Sequence, residues 1–476
     1  MKTKIIMLCV IAVIIGAMVL FFVTREQEEE FQLVPLKIGP SAAEGTEIGG
    51  TEVGTGWSTN ENPTEAVREA VNMALSGRKQ KRPDFAIIYA SSGSDMEGIF
   101  RAAKQMLGEE IKIFGGTSDS RAVMTDKGFV KATTRGYELS KMEGQRGLAI
   151  MTVSSKEIIF GVGSGNLSVQ SAPAPQEVSR AAVLDAVEDA GKRIDELPRI
   201  TLLLSTIGIE EEVLLGIEEV IGKGIVMLGG TVGGPAPAVF GEDRTYEKGV
   251  CLAVIYTDLP IGWTFEAGFD ITDKYTGIVT KVEGQAIEEI DNKPALDVYN
   301  QWVDGEIERL HKENEKPDVI RDLLILKPLY RKYTSPSGQD YFLFSHPWPK
   351  DEKMKDKTIL TSTKIKTGER VYLSQGTWET FLNRIGNLPR NAKTQGRIRV
   401  NARPILAIGT ICGGVMGVIP ETEREKMSFL INYANNNGPF IANFTWGEQG
   451  HFPGIGSKHG NLSTSFLVIA DQGAKE

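Results

Sequence analysis

A unit of two strands joined by a helical stretch occurs three times in this chain, and each copy ends its second strand at a glycine turn. An internal repeat restricts the possible folds more than any single motif does. The paired strands of the three copies cover residues 85–89 and 113–117, residues 200–204 and 227–231, and residues 405–408 and 444–448. Three equivalent strand ends can bring polar groups together around one cavity.

Each copy is longer than these two strands. It begins with a further strand and a helix, and it closes with another apolar strand, such as Gly147–Met151 in the first copy. Each helix has one apolar stripe, which is typical of a helix that covers one face of a sheet. Short polar segments around Gly128 and at Glu247–Gly249 predict hairpins. We therefore expect an α/β fold in which repeated strand–helix units form mixed sheets covered by helices.

The N-terminus predicts one transmembrane helix ahead of this fold. The nineteen residues Ile5–Val23 carry no charge, and a helix of about 20 residues crosses the hydrocarbon core of a membrane. Lys2 and Lys4 precede this run, so the positive-inside rule places the N-terminus in the cytoplasm. We expect residues 1–24 to be an uncleaved signal anchor, residues 25–48 to be a linker, and the folded part to be extracytoplasmic in a single-pass protein of the cell membrane. A cleaved signal peptide is the alternative.

The charge pattern and the cysteines bear on the class of protein. The net charge of −9 is spread along the chain, whereas nucleic-acid binding needs clustered Lys and Arg. We therefore expect no nucleic-acid partner. Outside the N-terminal apolar run, Cys251 and Cys412 allow one disulfide, but each lies in an apolar, strand-like context. We expect both to be buried thiols.

Signatures of an enzyme are sparse. The sequence contains no Gly-x-Ser-x-Gly motif and no Walker A loop. His451 and His459 have no third ligand at a helpful spacing, so we expect no metal site. The glycines at 161, 163 and 165 lack the phasing of a dinucleotide-binding loop. We expect a protein that is not an enzyme and that carries no cofactor.

One candidate ligand-binding group is the first glycine turn, which consists of Gly115, Gly116, Thr117 and Ser118. Such a turn can present backbone N–H groups and hydroxyls to an anionic group such as a carboxylate. The alternative is that the two glycines only permit a tight turn at the end of a strand.

The second candidate group is Trp446, Gly447 and Glu448 at the end of the third copy's strand. A carboxylate beside an aromatic ring can hold an ammonium group by ion pairing and a cation–π contact. The alternative is a capped loop with an exposed acid. His459 and Asn461 follow eleven and thirteen residues after Glu448 and can complete the same pocket.

Several segments together resemble the FIST proteins, which have an N-terminal and a C-terminal FIST domain. The segments are Gly115–Ser118, Gly277–Gly284, Pro294–Tyr299, His346–Trp348, Gly438–Phe440, Phe444–Glu448 and His459–Thr464. The resemblance covers about residues 50–470 and implies a FIST N-terminal domain at 49–260, with two copies of the repeat, and a FIST C-terminal domain at 261–476, with the third. The family's frequent Gly-Glu pair after the first turn is missing, and Asp119 and Arg121 stand there instead.

The resemblance implies a role in prokaryotic signal transduction, in which the protein senses a small ligand, with amino acids as one candidate class. No kinase, cyclase or methyl-accepting segment is attached to the repeats, so we expect the signal to pass to an unidentified signalling protein. The expected function is a membrane-anchored sensory domain. The alternatives are a hydrolase of the cell envelope, with Ser92 or Glu448 acting near His459, and an envelope scaffold.

Overall fold

The computed structural model describes residues 46–48, 50–80, 82–119, 122–130, 146–168, 173–313, 317–351 and 353–474. The predicted anchor at 1–24 and almost all of the predicted linker lie outside these residues. Within the described ranges, no helix combines the length and the apolar character needed to cross a membrane.

The first copy of the repeat forms one unit of strands and helices. Its elements are β1 (Thr46–Ile48), β2 (Thr51–Ser58), α1 (Pro63–Ala74), β3 (Phe85–Ser91), α2 (Met96–Leu107), β4 (Lys112–Ser118), β5 (Val123–Thr125), β6 (Gly128–Val130) and β7 (Leu148–Ser154). The Asn62 side chain accepts a hydrogen bond from the Glu65 N–H and so caps α1, with Pro63 in the first turn. The predicted hairpin around Gly128 is confirmed as β5–β6.

The second copy repeats this order. Its elements are β8 (Ile158–Asn166), α3 (Pro175–Asp189), β9 (Ile200–Thr206), α4 (Glu210–Ile221), β10 (Val226–Val232), β11 (Val239–Phe240), β12 (Thr245–Tyr246) and β13 (Gly249–Thr257). Here β11 and β12 form the short hairpin, so its turn lies a few residues before the polar segment Glu247–Gly249 that the sequence indicates.

The third copy is interrupted after its first strand by an inserted segment. The elements from this strand onward are β14 (Ile261–Ala267), β15 (Thr276–Glu283), β16 (Ala286–Ile290), β17 (Lys293–Pro294), α5 (Ala295–Trp302), α6 (Glu306–Lys312), α7 (Pro317–Leu326), β18 (Leu329–Thr334), β19 (Asp340–Ser345), β20 (Pro347–Pro349), β21 (Ile359–Thr361), β22 (Arg370–Leu373), α8 (Trp378–Gln395), β23 (Leu406–Cys412), α9 (Gly414–Val418), α10 (Glu421–Ala434), β24 (Phe440–Thr445), β25 (Glu448–Phe452), β26 (Gly456–Gly460) and β27 (Ser463–Ile469), followed by a 3₁₀ turn at Gln472–Ala474. The insertion, β15 to β22, builds its own sheet and its own apolar core.

The three units share one strand order. The orders are β2-β7-β3-β4, β8-β13-β9-β10 and β14-β27-β23-β24. In each unit the last two strands of this order are parallel, and the other neighbours are antiparallel. The prediction of mixed sheets in an α/β fold is therefore confirmed.

Each unit gives its hairpin to the sheet of another unit. The first unit's β5 pairs with β24 of the third, the third unit's β25 pairs with β10 of the second, and the second unit's β11 pairs with β4 of the first. Val123, Glu448 and Val239 are the hairpin residues that face Asn443, Gly230 and Gly116 in these three pairings. This cyclic exchange means that no unit completes its sheet alone.

The inner faces of the three sheets enclose one apolar core, and the sheets together form a near-barrel. Tyr89, Leu204 and Ile408, one from each unit, belong to this common core. The helices cover the outer faces at close range: a Cβ added to Gly161 would lie 1.9 Å from the Ala186 carbonyl oxygen of α3. Burial of this shared core is the main stabilising term for such a fold.

Candidate functional site

The central parallel strands of the three units end close to one another, and we call this region the barrel end. It comprises the last inward residues of these strands and the residues that follow them. Hydrogen bonds cross between units here: the Phe444 N–H of the third unit donates to Ser118 Oγ of the first, over 2.8 Å. The Thr231 N–H of the second unit donates to the Gly447 carbonyl of the third, over 2.7 Å.

Glu448 is the most unusual residue of the barrel end. Its side chain is fully buried, although carboxylates are rarely buried without a partner. The carboxyl accepts hydrogen bonds from Thr445 Oγ1 at 2.8 Å and from the Ser463 N–H at 3.0 Å. At the two equivalent hairpin positions the chain carries valine, namely Val123 and Val239. Since an apolar side chain fills this position in the other two units, packing alone does not require a carboxyl here.

Burial raises the pKa of Glu448 to about 8. The hydrogen bonds from Ser463, Thr445 and the Cys412 thiol act in the opposite direction, and the nearby charge of Asp119 adds to the rise. Burial also raises the pKa of Cys412 well above its usual value, with Glu448 as the next cause. At neutral pH the Glu448 carboxyl is therefore mainly protonated and the Cys412 thiol stays neutral.

Two serines at the barrel end differ in their contacts. Ser118 Oγ donates to the Ala122 carbonyl at 2.5 Å in addition to accepting the Phe444 N–H. Ser92 is equally buried, but its Oγ has no hydrogen-bond partner within the described ranges. A Cβ added to Gly234 would lie 2.5 Å from Ser92 Oγ and 3.1 Å from Asp119 Oδ1. The loop after β10 thus lies directly against the Ser92 hydroxyl, which has no partner among the described residues, and against the Asp119 carboxyl group.

Trp446 lies at the surface of the barrel end. Its indole lies against Gly233, because a Cβ added to that glycine would come within 2.2 Å of Trp446 Cδ1. The side chain remains 38% exposed, so this ring is accessible from the solvent. Trp446 is held through its backbone, whose N–H donates to the Thr231 carbonyl at 3.0 Å.

The structure separates His459 from Glu448. In the β25–β26 hairpin Gln449 pairs with His459 and Glu448 pairs with Gly460, and successive side chains of a strand point to opposite faces. Glu448 therefore points toward the inside of the barrel, and His459 lies on the outer face with Gln449. The predicted pocket of Glu448, His459 and Asn461 is divided by the sheet itself.

A chain of buried hydrogen bonds runs along this outer face. Thr231 Oγ1 donates to Glu210 Oε1, Gln449 Nε2 donates to Thr231 Oγ1, and the same amide donates to His459 Nδ1, each over 3.1 Å. Because Nδ1 accepts, the proton of a neutral His459 ring is assigned to Nε2, which has no partner within the described part of the chain.

Asn461 links the hairpin to the inserted segment. Its Nδ2 donates to the Trp446 carbonyl at 3.0 Å. Its Oδ1 accepts from the Ser362 hydroxyl and, at 3.4 Å, from the His346 N–H. Burial lowers the pKa of His346 to about 4, so its ring is neutral at physiological pH. These contacts position the insertion against the barrel end.

The first glycine turn is part of strand β4. Gly116 pairs with Val239, and the Thr117 N–H donates to the Ala238 carbonyl at 2.9 Å. A Cβ added to Gly115 would lie 1.9 Å from the Ile88 carbonyl oxygen, so this glycine permits close packing of neighbouring strands. Of these four predicted residues, Ser118 is the one that the hydrogen bonds connect to the third unit.

The structure adds residues that the sequence does not single out as site residues. The charge of Asp119 raises the pKa of Glu448, and Cys412 and Ser463 donate hydrogen bonds to its carboxyl. Asp119 directly follows the first glycine turn, so its position in the sequence indicates that it lies near the candidate site. Within the described ranges, no cluster of His, Cys, Asp and Glu could hold a metal ion.

Comparison with known proteins gives one family match. Residues 84–293 match the model of the FIST N domain, a signalling and sensory domain. These residues run from β3 of the first unit through the whole second unit to the start of the insertion. No C-terminal FIST domain is identified, and the assignment of 261–476 stays a prediction. No protein with a curated description matches the sequence.

Solved structures give weak likenesses. A cyanuric acid hydrolase from A. caulinodans is 8% identical, with 88% of this chain and 99% of that chain covered at a TM-score of 0.30. T. maritima PurL complexed with AMPPCP is 12% identical, with 89% and 73% covered at a TM-score of 0.21. At these TM-scores neither likeness is evidence for the fold or the function of this chain.

Proposed function

We propose that this chain, with its FIST N domain, is a sensory protein that binds a small amine-bearing ligand at the barrel end and passes the signal to a partner protein. Amino acids are the first class of ligand to test. The match of residues 84–293 to a sensory domain supports the general role. The environment of Glu448 supports the barrel end as the binding site and an amine as the group that binds there.

The observation that carries the proposal is a buried carboxyl with a raised pKa where equivalent positions carry valine. Hydrogen bonds from Thr445, Ser463 and Cys412 meet this carboxyl, but no positive charge among the described residues offsets its burial. An ammonium group donates three hydrogen bonds and carries a positive charge. Beside Glu448, and within the field of Asp119, it would favour the ionised carboxylate and turn an unfavourable burial into an ion pair.

In the proposed mechanism, Trp446 controls the entry of the ligand and transmits the signal. Its ring is 38% exposed, packs against Gly233 and can contact a cation through its π face. A ligand changes a conformational equilibrium only when it binds one conformation better than another. We propose that Trp446 moves away from Gly233 to admit the ligand. The loop after β10, which contains Gly233 and Gly234, changes position with it.

Thermal-shift measurements on the full-length chain in detergent test the proposal. The panel contains amino acids, simple amines and carboxylates without an amine. We expect amine-bearing compounds to raise the melting temperature, because a ligand that binds only the folded state stabilises it. The rise should disappear in Glu448→Gln, which keeps the size of the side chain but cannot become an anion.

Glu266→Gln is the matched control. Glu266 is a half-buried carboxylate of the same unit, and it pairs with Arg384 rather than facing the barrel end. Its replacement should lower the overall melting temperature but preserve the ligand-induced rise. An equal rise in wild type and Glu448→Gln would contradict the proposed site, and a rise with carboxylates alone would contradict the proposed ligand class.

A hydrolase is the second candidate function, since the Ser92 hydroxyl and the Cys412 thiol lie at the same end of the barrel as Glu448. The raised pKa of Cys412 weighs against it as the nucleophile, because the thiolate is the reactive form. Prolonged incubation with the stabilising ligand, followed by mass spectrometry, separates the two functions. A sensor returns the ligand unchanged, whereas a hydrolase converts it. An envelope scaffold, the remaining alternative, would show no ligand-induced stabilisation at all.

We also propose that residues 1–24 anchor the protein in the cell membrane, with the folded part extracytoplasmic. The uncharged run Ile5–Val23 and the preceding lysines support this placement. Protease added to intact cells should digest the folded part, and alkaline extraction should leave the chain in the membrane fraction. Release of the full-length chain by alkaline extraction would contradict the anchor.

A further inference from the structure

We propose that an open groove on the third unit, far in sequence from the barrel-end residues of the first two units, binds a phosphate group carried by an organic molecule. The groove has a volume of about 460 Å³. It is lined by Arg390, Arg399, Val400, Asn401, Tyr433 and Asn436. These residues come from the C-terminal half of α8, the connection to β23, and the C-terminal end of α10.

The charge of this segment differs from that of the whole chain. From residue 380 to residue 420 the sequence has no Asp or Glu, whereas the chain as a whole has a net charge of −9. Its basic residues are Arg384, Arg390, Lys393, Arg397, Arg399 and Arg403. No carboxylate is among the groove-lining residues, so the positive charge there is not neutralised by the lining itself.

The two lining arginines are available for a ligand. The Arg390 guanidinium makes no hydrogen bond or ion pair with any described residue. Arg399 donates through Nη2 to the Gly473 carbonyl, which leaves its other N–H groups for a second acceptor. Two guanidinium groups can hold the oxygens of one phosphate in paired, charge-assisted hydrogen bonds.

A helix end beneath the groove would oppose an anion unless it were capped. The C-terminal end of α10 carries partial negative charge on its free carbonyls. The buried Lys393 ammonium donates to the Ala434 and Val400 carbonyls, both at 3.1 Å, and to Asn436 Oδ1. Lys393 therefore satisfies these carbonyls and places a further positive charge under the floor of the groove.

Tyr433 and Val400 give the groove an apolar flank for the rest of the molecule. Their side chains are 68% and 41% exposed, so both are accessible to a bound molecule. The phenol ring can stack on a planar group, and either residue can contact an acyl chain. The phosphate can thus belong to a soluble molecule or to a lipid headgroup, and the experiment distinguishes the two sources.

Binding measurements on the full-length chain in detergent use inorganic phosphate and adenosine monophosphate as soluble probes. The test variant is Arg390→Gln with Arg399→Gln, and the control is Arg244→Gln, an exposed arginine of the second unit that pairs with Asp243. For a soluble ligand we expect adenosine monophosphate to bind more tightly than inorganic phosphate. The double variant should weaken it by about tenfold or more, and the control should not.

The lipid source is tested with the chain in nanodiscs of phosphatidylcholine, whose phosphate is paired with the choline cation, with or without phosphatidylglycerol, whose phosphate has no such internal partner and is the form that two arginines would bind. Hydrogen exchange over residues 390–403 is the readout. Protection that requires phosphatidylglycerol and is lost in the double variant supports the groove with a lipid phosphate as its ligand. The proposal is overturned when neither soluble probe binds and phosphatidylglycerol gives no protection, or when the double variant behaves like the control in both arms.

Discussion

Glu448 of the third unit pairs with Gly230 of the second, and this pairing carries a buried carboxyl into a barrel that is otherwise apolar at the equivalent positions. A Cβ on Gly230 would lie 2.3 Å from Thr445 Cγ2, the methyl of the residue whose hydroxyl donates to Glu448. The absence of a side chain at Gly230 therefore leaves room for the Thr445–Glu448 hydrogen bond. The exchange of hairpins and the unusual chemistry of the barrel end thus depend on the same contact.

The first prediction concerns pH. The pKa of Glu448 is raised in the folded state to about 8, against 4.5 when exposed, so the folded protein holds this proton more tightly than the unfolded chain. The free energy of unfolding should therefore fall as pH rises from about 4.5 to about 8. Glu448→Gln should lack this component, and it should gain about 3–5 kcal/mol relative to wild type between pH 4.5 and pH 9. Urea unfolding at several pH values measures it, and parallel curves for the two proteins would contradict it.

The second prediction concerns Gly447. A Cβ there would lie 2.4 Å from His459 Cε1 and 3.2 Å from Asn461 Nδ2. Gly447→Ala should lower the free energy of unfolding by about 1–3 kcal/mol, because both neighbours are buried and must move. Gly224→Ala is the control, since a Cβ at Gly224 meets no atom within 4 Å. Urea unfolding compares the two, and equal small effects would show that His459 and Asn461 are not packed as described.

The third prediction compares two fully buried serines. Ser118→Ala removes two hydrogen bonds and leaves the buried Phe444 N–H without an acceptor, so it should cost about 1–3 kcal/mol of stability. Ser92→Ala removes a hydroxyl that has no partner among the described residues. Without ligand it should change the free energy of unfolding by less than about 0.5 kcal/mol. A larger loss in Ser92→Ala than in Ser118→Ala would contradict the assigned contacts.

The fourth prediction concerns the thiols. Cys251 and Cys412 are free and buried, as the sequence predicts. Burial raises the pKa of Cys251 to about 12 and that of Cys412 well above its usual value. Since the thiolate reacts with alkylating reagents, both should stay unlabelled by iodoacetamide at pH 8 in the native protein and react fully in urea. Peptide mass spectrometry gives the labelling of each residue separately, and rapid native labelling of Cys412 would show that the barrel end is open.

Much of the fold could be predicted from the sequence because it depends on local patterns. The α1 stripe of Val67, Ala70, Val71 and Ala74 is buried as its helical spacing indicates, and the Asn62-Pro63 start of this helix is where the capping preferences place it. The order of strands and helices in each unit follows in the same way from alternating apolar segments.

The exchange of hairpins could not be predicted in this way. Nothing in the periodicity of residues 448–460 indicates that they pair with the second unit rather than with their own. The separation of Glu448 from His459 could not be predicted for the same reason. Once Gln449 pairs with His459, the alternation of side chains places Glu448 and His459 on opposite faces, but this register depends on contacts distant in sequence. The hydrogen bond from the Thr117 N–H to the Ala238 carbonyl likewise depends on a residue of another unit.

The central claim is that an ammonium group binds beside Glu448, and proton release on binding tests it most directly. At pH 7 the Glu448 carboxyl is mainly protonated, and a bound ammonium should drive it to ionise. Calorimetric titration of the stabilising ligand into the full-length chain, in buffers of different ionisation enthalpy, counts the protons released. We predict close to one proton per bound ligand in wild type and none in Glu448→Gln. Tight binding without proton release, at the same affinity in both proteins, would contradict the account.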